Sequence, residues 1–83
     1  VTLNKIYMID QAEKYLRDII FTKFRVRYEE NIAIIQVSPD EMKKLFNLNV
    51  MNEIGKKLKK IGFDYVTVDL FGYSSDNMNK TSI

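Results

Sequence analysis

Apolar positions in the first twenty residues recur at helical spacing. Met8, Ile9, Ala12, Tyr15, Leu16 and Ile19 fall on one face of a helix running from Thr2 to Ile20, and Asp10, Gln11, Glu13, Lys14 and Arg17 fall on the other. Thr2 or Asn4 is the natural N-cap, since a short polar side chain takes up a free backbone N–H. Asp10–Lys14 and Glu13–Arg17 are acid-to-base pairs at spacing four, each worth ~0.3–0.5 kcal/mol. The period then changes to two. Phe24, Val26 and Tyr28 alternate with Arg25 and Arg27, the signature of a half-buried strand with both guanidinium groups on its open face. Glu29, Glu30 and Asn31 form a turn, and Ile32 to Val37 returns as a second strand, so an antiparallel hairpin is expected.

Ser38 and Pro39 restart a helix, with serine as cap and proline at the first helical position. Asp40 and Glu41 suit the positive end of that helix. Asn47 and Asn49 bracket a break, after which Val50, Met51, Ile54, Leu58 and Ile61 point inward along a further helical segment. Gly62 stops it, because glycine reaches positive φ without strain. Asp64 to Phe71 reads as the third strand, with Val66, Val68 and Leu70 on one side and Tyr65, Thr67 and Asp69 on the other. The order αββααβ predicts a two-layer α+β domain over residues 1–73, a three-stranded sheet with helices on one face, followed by a polar tail at 74–83. The third strand either runs parallel to the second through a right-handed crossover or lies against the first.

Composition narrows the chemistry. Eighty-three residues, 46% of them hydrophobic, suit one small domain. There is no cysteine and no histidine, which removes disulfides, thiolate metal sites, cysteine nucleophiles and the commonest general base. Net charge is +2, a weaker excess than a dedicated nucleic-acid module carries. The longest apolar run is Ile32 to Ile35, far short of a membrane span. The chain opens on Val1 with no leader-like segment, so a cytoplasmic piece of a longer protein is expected. The carboxylates form no facing pair, and no phosphate-loop or dinucleotide glycine pattern is present.

Arg25 and Arg27 are the sharpest polar feature. Side chains two apart on a strand project in parallel about 7 Å apart, a geometry that suits a phosphate or carboxylate. The competing reading is cross-strand pairing with a carboxylate such as Asp69, worth ~0–1 kcal/mol. Lys56, Lys57, Lys59 and Lys60 form a basic run, read either as an RNA contact or as solvated lysines balancing the negative end of a helix dipole. The element order is also similar to one class of KH RNA-binding domains, but Asn47-Leu48-Asn49-Val50 stands where their two-glycine clamp would be. Ile34 and Phe71 fall on the open face beside Tyr65, either as scattered apolar residues or as part of a docking surface.

Three blocks of the chain resemble the C-terminal domain of the ATP-dependent sacrificial sulfur transferases (the LarE type), a branch of the PP-loop ATP pyrophosphatases. Thr2, Lys5, Ile6, Ile9, Asp10, Ala12, Glu13, Leu16 and Arg17 carry the first, and Phe24-Arg25-Val26-Arg27-Tyr28 with Ile32-Ala33, Ile35 and Val37 the second. Gly62 to Leu70, then Gly72-Tyr73, Ser75 and Met78-Asn79, carry the third. The resemblance implies an N-terminal PP-loop domain in the same chain that uses ATP and magnesium to adenylate a carboxylate on a nickel-pincer cofactor precursor. It implies that sulfur comes from a sacrificed cysteine or a bound sulfide outside these residues. It also places Arg25 and Arg27 on the anionic-ligand side of the active site, while Asp69 is their candidate partner from the period-two alternation alone. The chain departs from the family at Ile34 (usually arginine), Gln36 (glutamate), Phe71 (an acid), Ser74 (arginine), Asp76 (glycine) and Ile20 (glycine). The expected role is therefore a non-catalytic accessory domain that needs no cofactor of its own. It would contact the PP-loop domain or associate into homo-oligomers, with neither membrane nor nucleic acid as its expected partner. The alternatives are a small RNA-binding module using Lys56 to Lys60 and a purely structural association domain.

Overall fold

The computed structural model describes residues 2–19 and 21–73, and the elements follow in the order αββααβ. They are α1 (Thr2–Ile19), β1 (Phe24–Glu29), β2 (Ile32–Val37), a 3-10 turn (Pro39–Glu41), α2 (Met42–Leu45), α3 (Leu48–Ile61) and β3 (Tyr65–Val68). The strands form one mixed sheet in the order β1-β2-β3. β1 and β2 are antiparallel, with Arg25 opposite Gln36 and Arg27 opposite Ile34. β2 and β3 are parallel, with Ile34 opposite Thr67 and Ile35 opposite Val68. The α+β architecture therefore follows from the hydrophobic pattern, and the crossover through α3 settles the strand order left open by it. Ile20 and the polar stretch from Ser74 onward, with its predicted tail, lie outside the described residues.

Alternation decides which face is buried. Val26, Ala33, Ile35 and Val37 point into the helical layer, where Met8, Ala12 and Leu16 of α1 and Ile54 and Leu58 of α3 meet them. Leu16, Phe21, Ile35, Leu45 and Leu58 are almost wholly removed from water. Burying a side chain of that size contributes roughly 1.5–3 kcal/mol. The hairpin turns on Glu30 and Asn31, whose φ values of 46° and 66° match the two-residue turn that fits strand twist. Asn31 then ties the hairpin to the end of α3. Its amide donates to the Gly62 carbonyl at 3.0 Å, and its carbonyl accepts from the Asp64 N–H at 2.9 Å.

Several local expectations give way. α1 already contains Asn4, so that residue is no cap; its amide lies 3.6 Å from the Met8 sulfur. Neither acid-to-base pair on α1 closes, and the one ion pair among the described residues joins Lys44 to Glu41 at 3.7 Å. Glu13 turns instead to the edge of the sheet and accepts the Val26 N–H at 3.1 Å, which blunts an exposed strand edge. Asn47, not Ser38, caps with its side chain, accepting from the Asn49 and Val50 N–H groups at 2.9 and 3.2 Å. Asn49 therefore belongs to α3, and Met51 faces solvent. β3 stops at Val68, so Leu70 and Phe71 leave the sheet and stand exposed.

Candidate functional site on the open face of the sheet

The face of the sheet turned away from the helices carries three rows of side chains. One row is Arg25, Gln36 and Asp69, the next is Arg27, Ile34 and Thr67, and the last is Glu29, Ile32 and Tyr65. Both arginines are exposed, because their neighbours Phe24, Val26 and Tyr28 are the ones drawn into the core. The structure thus brings Arg25, Arg27 and Asp69 onto one face, as the alternation requires.

Asp69 does not form an ion pair with either guanidinium. Its Oδ2 accepts from the Gln36 amide at 2.8 Å, and its Oδ1 accepts from the Phe71 N–H at 2.9 Å. The Gln36 amide first, and then the Phe71 N–H, hold the Asp69 carboxyl below its ordinary range against partial burial; the Gly72 N–H and the charge of Arg27 act in the same direction. Hydrogen bonding to the ionised form, more than charge pairing, sets its state.

Asp69 also starts a tight turn. The Gly72 N–H donates to the Asp69 carbonyl at 3.0 Å, and Gly72 adopts φ 80°. A Cβ at that position would sit 2.3 Å from the Val37 carbonyl oxygen, so only glycine passes this close to the end of β2. The Tyr73 N–H then donates to the Val37 carbonyl at 2.8 Å, which brings its ring under Arg25, 5.4 Å from the guanidinium carbon. Tyr65 opens β3 while Phe71 lies past its other end, so these two aromatics do not cluster.

Glu41 fixes the root of β1, and sequence reasoning gave it only a helix-start role. Its carboxylate is buried and accepts from the Thr22 N–H, the Thr22 hydroxyl and the Lys23 N–H. Burial would raise its pKa, but the Thr22 and Lys23 donors together with Lys44 bring it down to about 2. Its proximity to Ser38-Pro39 marks it as an N-terminal acid; the burial depends on a chain reversal that local sequence does not encode.

The lysine run occupies different ground. Lys56, Lys57, Lys59 and Lys60 are exposed along the outer side of α3, around a shallow basin of about 1040 Å³ bordered by Tyr15, Gly55 and Tyr65. Lys57 lies over the Tyr15 ring and Lys59 over the Tyr65 ring, at 5.8 and 5.9 Å. Among the described residues, no three carboxylates gather in a way that would hold a metal ion, and no helix is long and apolar enough to cross a membrane.

No family model matches the chain. Individual proteins do. It is 36% identical over 81 residues, 98% of its length, to the pyridinium-3,5-bisthiocarboxylic acid mononucleotide synthase of Lactiplantibacillus plantarum. It is 34% identical over 96% of its length to the uncharacterized protein slr1717 of Synechocystis, and 32% identical over 90% to the uncharacterized protein MJ0830 of Methanocaldococcus jannaschii. The chain spans only 29 to 30% of the length of these curated relatives. A synthase whose name specifies a bisthiocarboxylic acid mononucleotide therefore matches nearly all of this domain.

Proposed function

We propose that this chain is the C-terminal accessory domain of a PP-loop ATP-dependent sulfur transferase, with no catalysis of its own. In this reading ATP and magnesium belong to the N-terminal PP-loop domain, and the open sheet face packs toward that domain or toward another subunit. Arg25 and Arg27 supply the anionic-ligand side of the shared site. Two parallel guanidinium forks on a paired strand present donors in a fixed orientation, which suits phosphate oxygens better than flexible ammonium groups do. The observation that carries the reading is the 36% identity, over 98% of the chain, to a synthase whose name specifies a mononucleotide product. A mononucleotide carries a phosphate, and the only strand that exposes two guanidinium groups among the described residues is β1.

The test is a titration of phosphate, pyrophosphate and AMP into the intact protein, followed by calorimetry. Replacing both Arg25→Ala and Arg27→Ala should weaken binding by about tenfold or more, since each charge-assisted bond contributes about 1.5–3 kcal/mol. Unchanged binding in the double variant would remove the arginines from the site.

A further inference from the structure

The role proposed for the arginine face leaves the lysines of α3 unused, and with them the basin they border. Lys56, Lys57, Lys59 and Lys60 are exposed and, among the described residues, close no ion pair. The same basin is lined by Met51, Gly55 and Val66, so apolar surface and bare backbone lie beside a basic rim. Met51 is itself 43% exposed. Gly55 is the unusual member. It lies inside α3, where glycine weakens a helix relative to alanine, and nothing from the neighbouring elements stands within 4 Å of a Cβ built there. The fold gains nothing from this glycine. What it leaves is a stretch of backbone that something outside the domain can approach closely.

We propose that the outer face of α3 docks an acidic polypeptide segment, which sets an apolar side chain into the basin over Gly55 and its carboxylates against Lys56, Lys57, Lys59 and Lys60. Charge complementarity fixes the sign of the occupant, and the apolar floor asks for an anchor that a lone phosphate lacks. Lys57 and Lys59 are steadied over the Tyr15 and Tyr65 rings, which directs the rings to the lysines rather than to stacked bases. Glu53 also borders the basin. Burial first, and then the charge of Glu53, raise the pKa of the Tyr15 hydroxyl, which puts that carboxylate beside Tyr15. A nucleic-acid strand carries a charge at every unit and would meet Glu53, whereas a peptide can place its acids over the lysines alone. The surface needs neither Arg25 nor Arg27 and stands whether or not they bind an anion.

The experiment follows the fluorescence anisotropy of a labelled peptide, Glu-Asp-Glu-Leu-Phe-Glu-Asp-Glu, with the intact protein at low and at physiological salt. A second peptide carries Ser-Ser in place of Leu-Phe, and an oligouridylate of equal charge serves as the nucleic-acid probe. The first peptide should bind saturably with a Kd below about 1 mM at low salt. Lys56→Ala with Lys59→Ala should weaken it about fivefold, with the difference shrinking as salt rises. Gly55→Leu leaves every charge in place and fills the basin, so affinity should fall about tenfold while the thermal midpoint holds or rises. The Ser-Ser peptide should lose a similar factor on the unaltered protein, and Gly55→Leu should cost it nothing further. Arg25→Ala with Arg27→Ala should stay within about twofold. Absence of saturable binding, equal affinity for the two peptides, or full affinity in Gly55→Leu overturns the proposal. Tighter binding of the oligouridylate than of the peptide overturns it as well, and makes the surface a nucleic-acid contact.

Discussion

Two basic regions of this small domain, two arginines on β1 and four lysines on α3, differ in what their scaffold does with the charge. On β1 the two arginines alternate with buried residues, so the sheet fixes their direction; Arg25 lies over the Tyr73 ring, and Gln36 and Asp69 bond to each other on the same face. On α3 four lysines share the outer side of one helix, and two of them rest over tyrosines on different elements, Tyr15 of α1 and Tyr65 of β3. Flexible ammonium groups spread along a helix end stabilise its dipole and keep the surface solvated. Guanidinium forks held on a strand project in parallel from one face. Charge density alone does not make a site; a backbone that fixes direction does.

The comparison can be broken most severely at Gly72. Gly72→Ala combines a positive φ with a Cβ 2.3 Å from the Val37 carbonyl oxygen and 2.8 Å from the Met42 side chain. A loss of about 3 kcal/mol or more is expected in chemical denaturation, along with displacement of Tyr73 from Arg25. Retained stability would show that the turn after β3 is not fixed as described.

Next comes Glu41→Gln, which removes the charge that anchors Thr22 and Lys23 at the start of β1. Hydrogen bonds to a charged group of this kind contribute about 1.5–3 kcal/mol. The folded-state pKa of about 2 lies below the ordinary 4.5, so ionisation and folding favour each other. The contribution is complete above about pH 4.5 and disappears as pH falls toward 2. Denaturation midpoints measured from pH 6 to 2 should fall in the parent and flatten in Glu41→Gln; parallel curves would deny the carboxylate this role.

The smallest effect sharpens the helical side. Gly55 lies inside α3 with no atom within 4 Å of where a Cβ would stand. Gly55→Ala should stabilise the domain by about 0.5–1 kcal/mol, read as a rise in the thermal midpoint, while phosphate binding stays as it was. A loss of stability would mean that the basin above α3 is not open.

Much of this was legible from period and punctuation. The switch from helical spacing to alternation placed α1, β1 and β2, and Gly62 marked the end of α3 because its backbone requires positive φ. The end of β3 was not legible. Leu70 continues the alternation, but the Asp69 side chain captures the Phe71 N–H and turns the chain away. Alternation also put Arg25, Arg27 and Asp69 on one face, without showing that Gln36 claims the carboxylate. Glu13 and Glu41 escaped for a related reason. A carboxylate on a polar helix face or at a helix start reads as solvated, and only tertiary contact reveals the backbone N–H groups it accepts.

The most direct measurement compares two variants of equal charge loss. Arg25→Ala with Arg27→Ala, and Lys56→Ala with Lys60→Ala, each remove two positive charges from a chain of net charge +2. Phosphate affinity at a fixed ionic strength should fall about tenfold or more in the arginine pair and stay within about twofold in the lysine pair. Equal losses in the two pairs would reduce the effect to net charge and contradict a site built by the strand.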